Sequence, residues 1–175
     1  MFLFTFMLLR PAPKHDKLYS GLNTKTLKYQ GGIAMVSILM GLKGSGKTKR
    51  LVELVRAAVK EETGDVVCIE KERKLTYDIP YQARLIEAGA YDIGSYEFLK
   101  GLICGIHAGN YDITHFFVDN FYKLVNDKDP ESLITFINWL EKFSENEHIS
   151  FVLSITSDPE TVPEQLKKYI IWFFP

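Results

Sequence analysis

Cysteine is scarce in this chain, and its scarcity excludes two common classes of small protein. The only two cysteines, Cys68 and Cys104, lie in separate apolar runs and form no C-x-x-C pair. Neither a disulfide framework nor a cysteine-based zinc site is therefore expected. The four histidines lack metal-ligand spacing as well; they are His15, His107, His115 and His148. A reduced, cytoplasmic setting fits this pattern.

A charge imbalance and long apolar runs are also missing. Lysine and arginine together number 21 against 22 acidic residues, which gives a net charge of −1. No overall field therefore attracts the chain to nucleic acid or to an anionic membrane. The apolar start of the chain, residues 1–9, is too short to span a bilayer as a helix. We expect no membrane partner, and there is no strong nucleic-acid signal.

One motif carries most of the functional information. Residues 41–48 match the G-x-x-x-x-G-K-[ST] pattern at every position; they are Gly41, Leu42, Lys43, Gly44, Ser45, Gly46, Lys47 and Thr48. An apolar run precedes the motif and a helical pattern follows it, which is the context that a phosphate-binding loop requires. Glycines let backbone N–H groups curl around an anion beside the N-terminus of the next helix.

The two residues that close the motif have distinct expected roles. Lys47 is placed to neutralise the β- and γ-phosphates, and Thr48 to bind Mg²⁺ through its hydroxyl. The motif thus predicts a bound nucleoside triphosphate with Mg²⁺. The expected nucleotide is ATP, although the sequence indicates nothing about the base beyond the absence of an Asn-Lys-x-Asp guanine motif.

A second element of the same site ends the apolar run 115–119. It has the form of a Walker B strand, whose burial would hold the Asp119 carboxylate beside the loop, within reach of the Mg²⁺ shell. The alternative is that Asp119 is only a polar strand end. Many ATPases place a glutamate next, but this chain has Asn120, which can orient a water and cannot accept its proton. Either hydrolysis is slow, or the base comes from Glu70 or Glu72.

These residues resemble a known family. The stretch Ile69-Glu70-Lys71-Glu72, followed by Tyr81-Gln82-Ala83-Arg84, resembles the corresponding part of RecA-like ATPases. Residues 117–120 are similar to the Walker B segment of that family. The strand 151–155, with Thr156-Ser157 at its tip, resembles the polar-tipped strand that lies between the Walker A and Walker B strands.

The resemblance implies catalytic roles for particular residues. Glu72 matches the catalytic glutamate of the family by position, Glu70 is the second choice, and Lys47 supports catalysis from the loop. A solvated charge run is the alternative interpretation of both glutamates. Strand exchange is not implied, because no room for DNA-binding loops follows Asp119. Thymidine-kinase-like enzymes share the core, but Asn120 and the separated cysteines depart from their glutamate and zinc-binding lasso.

The alternation of strand and helix patterns predicts an α/β fold. We expect a three-layer α/β/α sandwich around a mostly parallel, five-stranded P-loop NTPase sheet with the order 5-1-4-3-2. The helical patterns fall at 49–62, 80–90, 95–107, 131–144 and 159–168. The strand patterns fall at 36–40, 65–70, 91–93, 114–119, 149–155 and 170–174.

The chain divides into an irregular extension, residues 1–34, and a P-loop nucleotide-binding domain, residues 35–175. Two glycine codons ahead of Met35 can spell a bacterial ribosome-binding site, which leads to the hypothesis that Met35 is the true start. A disordered arm and a membrane-associating arm are the alternatives for residues 1–34.

The functional expectation is an ATP-binding P-loop NTPase of the cytoplasm. It would hydrolyse ATP slowly with Mg²⁺, or use ATP to gate an action on a protein partner or on a homo-oligomer. A small-molecule (nucleoside-type) kinase and a nucleotide-binding subunit without turnover are the alternatives. 

Overall fold

A computed structural model describes residues 35–61 and 64–174 of the chain. The predictions for the extension, residues 1–34, lie outside the described residues. From Met35 onward the backbone belongs to the sheet, since the Met35 carbonyl accepts a hydrogen bond from the Phe151 amide at 2.7 Å.

The described residues form strands and helices in alternation. The strands are β1 Val36–Gly41, β2 Asp65–Glu70, β3 Ala83–Glu87, β4 Ile113–Val118, β5 Ser150–Thr156 and β6 Ile170–Phe174. The α-helices are α1 Lys47–Glu61, α2 Tyr96–Ala108, α3 Phe121–Val125, α4 Pro130–Glu147 and α5 Glu164–Lys167. Short 3₁₀ turns lie at Ala88–Tyr91 and Pro159–Thr161. None of the helices in these described ranges is both long and apolar enough to cross a bilayer.

The strands form one sheet of six strands in the order β3-β2-β4-β5-β1-β6. Every pairing is parallel. The α/β class and the parallel sheet are confirmed, whereas the predicted five strands and their order are wrong as stated. The difference comes from β3, which adds an edge strand beyond β2 and shifts the number of every later strand. The prediction that strand 151–155 lies between the strands of Gly41 and Asp119 is confirmed, because β5 separates β1 from β4.

Apolar side chains cover both faces of the sheet. On one face α1 buries Leu51, Leu54 and Val55 against Cys68 of β2 and Phe117 of β4. On the other face the buried side chains of α2, α3 and α4 pack against the alternate residues of the same strands. Successive strand residues point to opposite faces of the sheet. The sequence of a strand that is buried on both faces is therefore a continuous apolar run. The arrangement is a helix–sheet–helix sandwich.

Three element predictions are wrong. The helix predicted at 80–90 contains β3, whose residues pair with β2 from Val66↔Ala83 to Glu70↔Glu87. The strand predicted at 91–93 is instead the end of a 3₁₀ turn, after which Asp92 has a φ of 54°. The helix predicted at 159–168 is broken, because Pro163 lies between its two short pieces and a proline inside a helix removes a hydrogen bond. At residues 83–87, backbone hydrogen bonding to the edge of β2 outweighs the helical pattern of the sequence.

Helix α2 was predicted more accurately. The Ser95 hydroxyl accepts a hydrogen bond from the Phe98 amide at 3.2 Å, which is the predicted N-terminal cap. The helix ends at Ala108, next to the predicted Gly109-Asn110 stop. Helix α4 begins at Pro130 with Asp129 as its cap, close to the predicted start at 131.

Candidate functional site

The predicted phosphate loop joins the carboxyl end of β1 directly to α1. Gly44 and Gly46 have φ angles of 86° and 90°, a region that residues with a Cβ avoid. A Cβ at Gly44 would meet no atom within 4 Å, so the backbone conformation, and not a lack of space, requires glycine there. Helix α1 begins at Lys47 of the motif, and the first N–H groups of an α-helix have no acceptor within the helix. These features give the loop the form of an anion cradle.

Lys47 is a buried cation at the centre of this loop. Its side chain is 6% exposed, and its ammonium donates to the Leu42 carbonyl at 2.7 Å and to the Ser45 hydroxyl at 3.3 Å. Burial lowers the pKa of Lys47, and the nearby charge of Asp119 opposes that shift. None of the ion pairs found between described residues includes Lys47. A buried ammonium held only by neutral oxygens favours an anion as its partner.

The structure brings Thr48 and Asp119 together, although they lie far apart in sequence. The Thr48 hydroxyl donates to the Asp119 carboxylate at 3.1 Å to Oδ1 and 3.4 Å to Oδ2. Asp119 follows β4 and is 4% exposed. A hydroxyl beside a carboxylate offers the hard oxygen ligands that Mg²⁺ prefers over sulfur and imidazole.

These two side chains alone would not complete a magnesium site. Within the described ranges, no three histidine, cysteine or acidic residues cluster as a metal site would require. Phosphate oxygens and water would therefore supply the remaining ligands, as is usual for Mg²⁺ bound with a nucleotide.

Ser154 is a site residue that sequence reasoning missed. This fully buried hydroxyl donates to Asp119 Oδ1 at 2.6 Å and accepts from the Asn120 amide N–H at 2.8 Å. The polar contact from β5 to Asp119 therefore comes from inside the strand, three residues before its tip at Ser157. A serine within an otherwise apolar buried strand was the available signal.

Asn120 also donates a hydrogen bond to the Asp119 carboxylate. Its side-chain amide donates to Asp119 Oδ2 at 2.7 Å, and its backbone is left-handed with a φ of 48°. Asparagine tolerates this conformation better than most residues with a Cβ. With Thr48 and Ser154, it gives the carboxylate three hydrogen-bond donors. The Asn120 amide is thus engaged with Asp119 in the position where the sequence predicted a water-orienting group.

Glu70 lies beside Asp119 but is engaged by the backbone. Strands β2 and β4 pair Ile69 with Val118, so Glu70 and Asp119 follow one another at the ends of neighbouring strands. The Glu70 carboxylate is 3% exposed and accepts the amides of Lys74 and Leu75 at 3.1 to 3.2 Å. Burial raises the pKa of Glu70, although these two hydrogen bonds oppose the shift. Its described contacts organise the turn after β2.

Glu72, the preferred catalytic glutamate, is exposed on that turn. Its carboxylate forms an ion pair with the Lys74 ammonium. The hydrogen bond from Lys74 lowers the pKa of Glu72, and the charges of Lys74 and Lys123 lower it further. A carboxylate held in this way is a weaker proton acceptor than a free one. The described contacts therefore join Glu72 to Lys74 and not to Thr48 or Asp119.

Two comparisons with known proteins found no relative of this chain. A scan against models of protein families found no match, and neither did a search of curated proteins. The residues and their arrangement are therefore the basis for inferring a function.

Proposed function

We propose that this chain is a P-loop NTPase with a RecA-like core that binds ATP and Mg²⁺ at residues 41–48. The observation that carries this proposal is the buried Lys47 ammonium. It lies inside a loop of positive-φ glycines, has no carboxylate ion pair among the described residues, and precedes Thr48, which contacts Asp119. A triphosphate would supply the negative charge that this arrangement lacks.

Each group of the site has a defined task in this proposal. The loop amides and the first turn of α1 cradle the phosphates, and Lys47 neutralises their charge. Thr48 and Asp119 would hold Mg²⁺, which would neutralise negative charge on the phosphates. Ser154 and Asn120 keep the Asp119 carboxylate oriented toward Thr48.

The existing hydrogen bonds and ion pair of the candidate carboxylates favour slow hydrolysis over rapid turnover. A general base must reach the attacking water with a free lone pair. Glu70 already accepts two backbone amides, Glu72 is paired with Lys74, and Asn120 is no base. The same observations favour, as the second candidate, a nucleotide-binding subunit without turnover. In either case the bound nucleotide would gate an action on a protein partner or on a second copy of the chain.

Calorimetric titration with ATP, in Mg²⁺ or in EDTA, tests the proposal. We expect wild-type affinity for ATP to fall about tenfold or more without Mg²⁺, because the metal held by Thr48 and Asp119 would neutralise phosphate charge. Asp119→Asn and Thr48→Ala should lose most of that difference. Asp78→Asn is the matched control, because Asp78 is an exposed acid whose backbone carbonyl, not its carboxylate, binds Arg56.

Two results would count against the proposal at different levels. A wild-type protein that binds no nucleoside triphosphate would overturn the assigned function. A full Mg²⁺ effect in folded Asp119→Asn and Thr48→Ala variants would overturn the metal ligands but leave the loop assignment intact. Cooperative melting of each variant establishes that it is folded.

A further inference from the structure

The turn after β2 is anchored so that Lys74 has a fixed backbone position. The buried Glu70 carboxylate binds the amides of Lys74 and Leu75. The Leu75 side chain is 3% exposed and packs in the same cluster as Leu51 of α1. The backbone at Lys74 is therefore tied both to β2 and to the helix that begins at the phosphate loop.

The backbone of Lys74 lies next to the strand ends that carry the proposed magnesium site. The side-chain hydrogen bond with Glu72 is the main cause of the raised pKa of Lys74, and the charges of Glu70 and Asp119 add to that rise. Glu70 and Asp119 end neighbouring strands, and Asp119 contacts Thr48. The Lys74 backbone amide binds Glu70, so the residue lies at the carboxyl edge of the sheet, where the phosphates would lie.

The other two cations of the turn are held elsewhere. Arg73 forms an ion pair with Glu87 of the edge strand β3. Lys71 donates to the Lys123 carbonyl at 2.7 Å. Lys74 is the cation of residues 71–74 whose ion-pair partner, Glu72, lies in the same exposed turn.

The ion pair that holds Lys74 is easily exchanged. The Lys74 and Glu72 side chains are 67% and 51% exposed, and ion pairs between exposed side chains contribute little to stability. A γ-phosphate carries more charge than one carboxylate, and charge-assisted hydrogen bonds to phosphate are strong. A phosphate within reach would therefore compete well for the ammonium.

We propose that Lys74 forms a γ-phosphate subsite, in which its ammonium leaves Glu72 and binds the terminal phosphate of ATP. This inference rests on the proposed function, since it adds a contact to the same nucleotide. The contact distinguishes ATP from ADP, because only ATP carries the γ-phosphate.

The test is the ratio of ADP to ATP dissociation constants, measured with Mg²⁺ by calorimetry. Lys74→Met should reduce the preference for ATP about tenfold, the scale of one charge-assisted contact, and leave ADP binding unchanged. Lys74→Arg should keep most of the preference. Arg73→Met is the matched control, because it removes a neighbouring exposed cation whose partner is Glu87, and it should leave the ratio at the wild-type value.

Glu72→Ala is a second variant, and its expected effect on ATP binding is opposite to that of Lys74→Met. Removal of the competing carboxylate should strengthen ATP binding severalfold and leave ADP binding unchanged. An unchanged ratio in both Lys74→Met and Glu72→Ala, or an equal change for ATP and ADP, would overturn the subsite. A wild-type protein that binds both nucleotides without preference would also overturn it. Failure of the wild type to bind either nucleotide would instead overturn the proposed function itself.

Discussion

Ser154→Ala removes the hydroxyl that links β5 to Asp119, and the cost to stability can be estimated from its contacts. The Ser154 hydroxyl donates to the buried Asp119 carboxylate at 2.6 Å and accepts from the backbone N–H of Asn120 at 2.8 Å. A hydrogen bond to a charged group contributes about 1.5–3 kcal/mol, and a buried amide left without an acceptor costs about 1–3 kcal/mol. Thr48 and Asn120 remain as donors to the carboxylate, so we expect a loss of about 2–4 kcal/mol in unfolding free energy.

Ser37→Ala is the matched control on the adjacent strand. Ser37 is 1% exposed in β1, and its hydroxyl has no hydrogen-bond partner among the described residues. Its removal should change the unfolding free energy by less than about 0.5 kcal/mol or increase it, because burying an unpaired hydroxyl is unfavourable. Urea unfolding at pH 7 measures both variants. Equal and small effects would refute the inference that Ser154 holds Asp119 in place.

Two further predictions concern the glutamates of the turn after β2. Because burial raises the pKa of Glu70, its stabilising effect is fully present below the ordinary value of 4.5 and is lost as the pH rises through the raised folded-state pKa. The wild-type unfolding free energy minus that of Glu70→Gln should therefore fall with rising pH in urea titrations; a flat or rising difference would contradict this. If Glu72 is the base, Glu72→Gln should reduce ATP turnover by about 10²-fold without weakening ATP binding, as single-turnover and binding assays can show. Full turnover in Glu72→Gln would reject that role.

The parts of the site that sequence predicted are those with local signals. The loop conformation follows from glycines at fixed offsets, and the placement of Asp119 follows from a buried apolar run that ends in an acid. Both signals lie within a few residues of the chain. The contact between Thr48 and Asp119 could then be expected from the rule that parallel strands end at one edge of the sheet.

The parts that sequence did not predict depend on partners distant in the chain. Ser154 meets Asp119 because β5 lies between β1 and β4, and a serine in a strand does not reveal its neighbour. Residues 83–87 have a helix-compatible composition, and only pairing with β2 makes them a strand. The role of Glu70 depends on a turn that brings the Lys74 and Leu75 amides back to its carboxylate.

The most direct test of the central claim is ATP binding by Lys47→Ala, compared with wild type and with Lys43→Ala. Lys47 is buried, whereas Lys43 is an exposed lysine of the same loop. Loss of a buried charged partner costs about 2–4 kcal/mol, so calorimetry should show ATP affinity reduced about 30- to 1,000-fold in Lys47→Ala. Lys43→Ala should bind nearly as the wild type does. Equal ATP affinity in wild type and folded Lys47→Ala would contradict the assignment of this loop as the triphosphate site.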